Sequence, residues 1–139
     1  MSGDFALLSA AAEGWGLSLT SDQQERIRRY LGELLTYNDK VNLTAETDPQ
    51  ALLLRHVADG IAAAAILKQE LKSASPRILD LGAGGGFIGM AVKIAWPQAE
   101  VTLMESLERK YKFLNAAAAS SGMKGLRVLL KRAGPGPLK

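Results

Sequence analysis

The hydrophobic positions change their period near residue 76, from a helical repeat to short apolar runs interrupted by glycine. Before that point, residues 4–13 read as a short helix ended by Gly14 and Gly16. Ile27, Tyr30, Leu31 and Leu34 then fall at i, i+3, i+4 and i+7, one face of a second helix, with Arg26, Arg28, Arg29 and Glu33 largely off that stripe. Thr20 and Gln23 have the spacing of a capping box at its start. Residues 37–44 break the period and have the polar, Asn-rich character of a loop. Asp48 and Pro49 restart a helix as N-cap and first residue. Leu53, Leu54, Val57, Ile61, Ala64 and Ala65 carry its stripe to about residue 71, with Gly60 as a candidate break into two helices. Residues 73–76 form a short linker.

From residue 77 the pattern belongs to strands. An apolar strand at 77–81 runs into five glycines within eight residues, Gly82, Gly84, Gly85, Gly86 and Gly89. A helix at 86–95 is stopped by Trp96-Pro97, because the residue before proline is pushed out of the helical region. A strand at 100–104 leads to Glu105 at its end. A helix at 107–121 ends at Gly122, which suits a left-handed C′ position, and a third strand follows at 126–130. This β-α-β-α-β series is half of a doubly wound α/β sheet, whose right-handed crossovers set the strands in the order 3-2-1. The chain is therefore expected to divide into a helical N-terminal lobe (1–75), a partial Rossmann-like cofactor-binding domain (76–132) and an irregular tail (133–139).

Composition narrows the chemistry. With 139 residues, 47% of them hydrophobic, the chain can bury a core as one domain or as a domain and a small lobe. It has no cysteine, which excludes disulfides, thiolate metal sites and cysteine nucleophiles. No run approaches the ~18 uninterrupted apolar residues of a membrane span. The N-terminus lacks the layout of a signal peptide, so a cytoplasmic protein without membrane contact is expected. The net charge of +3 is unevenly placed: residues 1–75 carry 7 Lys/Arg against 10 Asp/Glu, and residues 76–139 carry 10 against 4. The second half is either a surface for a polyanion or an ordinary solvated basic face.

The glycine loop can be read in three registers. The lysine and hydroxyl of a phosphate loop are missing, because Phe87 follows Gly86. Gly84, Gly86 and Gly89 make a dinucleotide fingerprint, a weak signal alone. Asp80-x-Gly82-x-Gly84-x-Gly86 is the pattern of methyltransferases that use S-adenosyl-L-methionine. Backbone at Gly82 and Gly84 then lies against the methionine end of the cofactor, and an acid near the loop pairs with its ammonium. The plain alternative is a strand–helix turn, for which five glycines are an excess. Glu105, 19 residues after Gly86, can hold both ribose hydroxyls of an adenosine. NAD shares that ribose, so Glu105 does not choose the cofactor, and its plain alternative is a surface acid paired with Arg109. Ser106 and Leu107 follow where adenine would lie, and Phe87 walls the pocket or packs helix on sheet. His56 is the only histidine, and without a His/Cys cluster it is a structural or a pocket residue rather than a metal ligand.

Four segments, in order, carry a resemblance to a family. Residues 37–44 resemble a Tyr-Asn-x-x-x-Asn-Leu-Thr signature, and residues 55–59 resemble Arg-His-x-x-Asp. Residues 80–89 resemble Asp-x-Gly-x-Gly-x-Gly-Phe-Pro-Gly. Residues 101–106, with Lys110, Phe113 and Leu114, resemble the second strand and the helix after it. These are the signatures of the bacterial 16S rRNA (guanine-N7) methyltransferase G family, once called glucose-inhibited division protein B. The resemblance implies a Rossmann-like S-adenosyl-L-methionine-dependent methyltransferase fold, only its first half present, and methyl transfer to N7 of a guanine in 16S ribosomal RNA. It implies cofactor contacts at Gly82, Phe87, Glu105, Ser106, Leu107, Ala133 and Gly134. It also implies that Asn42, Arg55 and His56 line the pocket from the N-terminal lobe. Ile88 stands where the family has proline, Gly60 where it has serine and Gly134 where it has an acid.

Family members continue past the third strand, so a C-terminally truncated member is expected. The first strand then lacks a neighbour, which predicts marginal stability or pairing through that edge in a dimer. Two other readings stay open: a non-catalytic remnant that binds cofactor or RNA only, and an NAD-dependent oxidoreductase, which Asp80 and Phe87 disfavour. Contact with 16S ribosomal RNA or the small ribosomal subunit would be mainly phosphate attraction by Arg109, Lys110, Lys112, Lys124, Arg127, Lys131 and Arg132.

Overall fold

A computed structural model describes residues 2–132. Helices α1 (Ser2–Gly14) and α2 (Ser21–Asn38), a single helical turn α3 (Pro49–Ala51), a π-helical turn (Leu52–Val57) and helix α4 (Ala58–Glu70) come first. A β-α-β-α-β unit follows: β1 (Arg77–Leu81), α5 (Phe87–Ala95), β2 (Glu100–Glu105), α6 (Glu108–Ser121) and β3 (Leu126–Leu130). The described strands form one parallel sheet in the order β1-β2-β3, with Leu81 opposite Met104 and Met104 opposite Leu129. This is a partial Rossmann-like α/β fold with helices at its N-terminus, as expected.

Local signals act where they were read. Gln23 N–H donates to Thr20 Oγ1 (3.1 Å) and Thr20 N–H to Gln23 Oε1 (2.8 Å), so the capping box forms. Ile27, Tyr30, Leu31 and Leu34 are all buried. Gly122 ends α6 with φ 67°. The arginines off the α2 stripe do not all point idly to solvent. Arg26 and Arg29 donate to the carbonyls of Ser121 and Ser120, cationic donors for the orphan acceptors at the end of α6.

Two local expectations change. Helix α2 continues through Tyr37 and Asn38, because the Tyr37 ring packs on Phe113 at 5.3 Å. The loop begins after it, where Asn38 Oδ1 accepts from the amides of Leu43 (2.8 Å) and Thr44 (2.9 Å). Gly60 does not divide a helix but lies buried within α4. A Cβ there would sit 2.5 Å from Ala91 Cβ and 2.7 Å from the Phe87 carbonyl, so the missing side chain is what lets α4 cross α5 closely. The irregularity falls earlier, in the π-helical turn that carries Arg55 and His56. Such turns are rare and are frequent at functional sites.

A hydrophobic core joins the helices to the sheet through Leu34, Leu53, Ile61, Met90, Leu103 and Phe113. The stretch Pro49–Glu70 is long and apolar enough by composition to cross a membrane. In this fold its Leu52, Leu53, Val57, Ile61, Ala64 and Ala65 are buried in that core. Helices α5 and α6 pack on the sheet face of Ile78, Val101, Leu103 and Val128. Strand alternation puts Leu79, Leu81, Met104 and Leu129 on the opposite face, where Leu79, Leu81 and Leu129 are 51%, 59% and 42% exposed.

Candidate functional site

The glycine loop leaves β1 at the carboxyl end of the sheet, the side on which open α/β sheets take ligands. Gly82, Gly84 and Gly86 adopt φ of 65°, 59° and 84°, a region that L side chains avoid. The spacing Gly82-x-Gly84-x-Gly86 is therefore the spacing of the left-handed residues. The glycines differ in what surrounds them. Among the described residues nothing lies within 4 Å of a Cβ built on Gly82, and on Gly84 only the Gly82 carbonyl comes as near as 4.0 Å. A Cβ on Gly85 would meet Leu34 at 3.1 Å and Phe87 at 3.3 Å, and one on Gly86 would meet Leu114 at 2.7 Å. On Gly89 it would run into Leu103 and the Asp80 carboxylate. Gly82 and Gly84 thus leave bare backbone beside open space, whereas the other three let the loop and α5 close on protein.

Carboxylates hold this loop from two strands. Glu105, 5% exposed at the end of β2, accepts from Gly84 N–H through Oε1 (2.8 Å) and from Leu107 N–H through Oε2 (2.9 Å). It ties the glycine loop to the β2–α6 turn, and among the described residues it forms no ion pair with Arg109. Asp80 Oδ2 accepts from Gly89 N–H at 3.0 Å, at the start of α5, where helix donors are otherwise free. Burial pushes the Asp80 carboxyl above its ordinary value of 3.8; the Gly89 hydrogen bond opposes the rise and the Glu105 charge adds to it. Backbone bonds from Ala83 N–H to Met104 O (3.0 Å) and from Gly86 N–H to Ala83 O (2.8 Å) complete the turn.

The N-terminal helices reach the same loop. His56 stacks on Phe87, with ring centroids 4.8 Å apart and 28° between planes. Tyr30 meets the Phe87 ring edge-on at 6.4 Å and 76°. The structure therefore brings together Asp80, Gly82, Gly84, Phe87, Glu105 and Leu107, with His56 joined through Phe87. Ser106 and Leu107 are exposed beside them, Leu107 at 47%. Asn42 and Arg55 are exposed, and among the described residues no hydrogen bond joins either to the loop. Ala133 and Gly134 lie outside the described residues. Tyr30 is the residue that sequence reasoning assigned only to the core stripe: its hydroxyl donates to the Gly85 carbonyl. The available signal was a tyrosine on a buried stripe, whose hydroxyl must find a partner somewhere.

Bare glycine backbone beside a buried acid at the end of the next strand, on a parallel sheet with helices before it, is consistent with a partial Rossmann-like methyltransferase fold. Comparison with known sequences makes this specific. A family model described as rRNA small subunit methyltransferase G matches residues 23–137, and the chain belongs to that family. It is 41% identical over 126 residues to the ribosomal RNA small subunit methyltransferase G of Myxococcus xanthus (strain DK1622), covering 91% of this chain and 56% of that relative. The protein of the same name from Chloroflexus aggregans (strain MD-66 / DSM 9485) is 35% identical over 126 residues, 91% of this chain and 51% of the relative. That from Streptococcus thermophilus (strain ATCC BAA-491 / LMD-9) is 36% identical over 118 residues, 85% and 49% respectively. The chain spans about half the length of the curated relatives it matches.

Proposed function

We propose that the chain binds S-adenosyl-L-methionine on its glycine loop and serves methyl transfer to N7 of a guanine in 16S ribosomal RNA. The observation that carries this reading is the open space over Gly82 and Gly84 beside the Glu105 carboxylate. Bare backbone there suits the methionine end of the cofactor. Both Glu105 oxygens are oriented by amides, and each keeps a second lone pair for a hydroxyl donor. In this reading Glu105 accepts from the ribose hydroxyls, and Phe87 and Leu107 give apolar contact around the adenine. The Asp80 oxygen that does not bind Gly89 attracts the ammonium, and Ser106, Ala133 and Gly134 add contacts. The partial Rossmann-like domain (76–132) is the cofactor side, and the helical lobe (1–75) is the acceptor side, with Asn42, Arg55 and His56 as its lining.

When bound, S-adenosyl-L-methionine supplies a methyl group on a positive sulfur. Guanine N7 offers a lone pair and carries no proton, so the residues of this site need not include a general base. Their contribution is to align donor and acceptor, a term worth up to about 7–11 kcal/mol in favourable intramolecular reactions. The relatives' names and the exposed Arg109, Lys112, Lys124, Arg127, Lys131 and Arg132 support an RNA substrate, with the small ribosomal subunit as partner in a cytoplasmic setting.

Calorimetric titration with S-adenosyl-L-methionine and with NAD, followed by labelled-methyl transfer to unmethylated 16S RNA, tests this. Saturable binding of the methyl donor with incorporation into RNA is the expected result. Binding of NAD alone overturns the reading. Binding without transfer favours a second one, a chain that keeps cofactor or RNA affinity without turnover.

A further inference from the structure

Five of the eight residues from Gly82 to Gly89 are glycine, and ordering such a segment is entropically costly. Side chains hold its backbone at residues 84, 85 and 89: Glu105 accepts from Gly84, Asp80 accepts from Gly89, and Tyr30 donates to Gly85. The carboxylates belong to the sheet that presents the loop. Tyr30 belongs to α2, 55 residues before its partner. It is 3% exposed, and its ring lies against both Phe87 and Phe113. Leu34, one turn further along α2, abuts Gly85. Burial, with the Asp80 charge added, pushes the Tyr30 hydroxyl well above its ordinary value of 10.0. It therefore stays a donor at neutral pH, and the Gly85 carbonyl can only accept.

We propose that Tyr30 is a positioning residue for the cofactor loop: its hydroxyl, carried by α2, pins the Gly85 carbonyl so that Gly82 and Gly84 keep the conformation that receives the cofactor. The identity of the ligand rests on the S-adenosyl-L-methionine reading; the hydrogen bond does not. Without the hydroxyl, Gly85 would present a buried acceptor for which the described residues supply no other donor, between glycines whose φ no side chain of their own restricts. Binding would then have to order the loop at the expense of affinity. The same bond makes α2 part of the site, because a displacement of the helix reaches the loop through it.

Tyr30→Phe removes the oxygen and keeps the ring; Tyr30→Leu removes both. In Tyr30→Phe, amide hydrogen exchange at residues 84–89 is expected to accelerate about tenfold relative to β2 and α4, and the Kd for S-adenosyl-L-methionine to rise about five- to tenfold. Tyr30→Leu is expected to speed exchange in α2 and α5 as well. Unchanged exchange in Tyr30→Phe, or acceleration spread evenly over the chain, overturns the proposal. So does an unchanged Kd where the parent chain binds. A parent chain that binds no S-adenosyl-L-methionine defeats the cofactor reading alone, and the exchange comparison still decides what Tyr30 does to the loop.

Discussion

The two faces of the sheet carry similar residues and meet opposite fates. Val101 and Leu103, under α5 and α6, are 1% and 0% exposed, whereas Leu79 and Leu81 on the other face are more than half exposed. Parallel sheets ordinarily have both faces covered, and their strands read as continuous apolar runs rather than alternating ones. The run Arg77-Ile78-Leu79-Asp80-Leu81 has that two-sided character. Its leucines are thus written for a covering that the described residues do not provide. The glycine loop shows the same division on a smaller scale: Gly85, Gly86 and Gly89 are closed on by protein, and Gly82 and Gly84 are not.

The sharpest break of this contrast is Leu103→Ala on the covered face, expected to cost about 2–5 kcal/mol in denaturant unfolding. Gly86→Ala should follow, at about 2–4 kcal/mol, because it combines strain at φ 84° with overpacking against Leu114. Gly82→Ala carries backbone strain of about 1–2 kcal/mol without a clash, so its loss of S-adenosyl-L-methionine affinity in a titration should exceed its loss of stability. If Gly82→Ala binds as tightly as the parent chain, the open side of the loop is not the ligand side.

The pH dependence tests the loop from its acid end. The folded-state pKa of Asp80 is raised, so the fold binds its proton more tightly than the unfolded chain does. Its contribution is then full below the ordinary value of 3.8 and is lost as pH rises through the folded value. The stability of the parent chain relative to Asp80→Asn should accordingly fall with rising pH across that window, and a pH-independent difference would remove the assignment. Smallest of all is Leu81→Ala on the bare face, expected within about 0.5 kcal/mol. A loss comparable to that of Leu103→Ala would mean that the face is covered in solution. Where a second copy provides that covering, by the face or by the β1 edge left unpaired among the described residues, light scattering of Leu79→Asp and Leu81→Asp is expected to report a lower mass at high concentration.

Much of the fold was legible because its signals are short-range. The bounds of β1 and β3, the Thr20–Gln23 capping box, Asp48 with Pro49, the stop at Trp96-Pro97 and the left-handed Gly122 each follow from a few neighbouring residues. Lys93 shows where such reading ends. A lysine on a helix suggests solvent, yet this one is 2% exposed and donates to the carbonyls of Pro97 and Ala99, both at 2.7 Å. Burial pulls its pKa down, and Glu100 offsets part of that. The π-helical turn at Arg55-His56 was likewise not visible, since the apolar stripe alone does not distinguish it from an α-helix.

By itself the sequence determined the helix–sheet order, the glycine loop between the first strand and its helix, and the acid at the end of the second strand. These depend on allowed φ, caps and hydrophobic period, which act within a few residues. The tertiary structure alone decided which glycines face open space and which sheet face stays bare among the described residues, and which partners Glu105 and Tyr30 take. Glu105 meets Gly84 across 21 residues and Tyr30 meets Gly85 across 55, and no local preference selects a partner at such a distance. Packing does, by bringing α2 and the end of β2 against a loop too rich in glycine to hold its own shape.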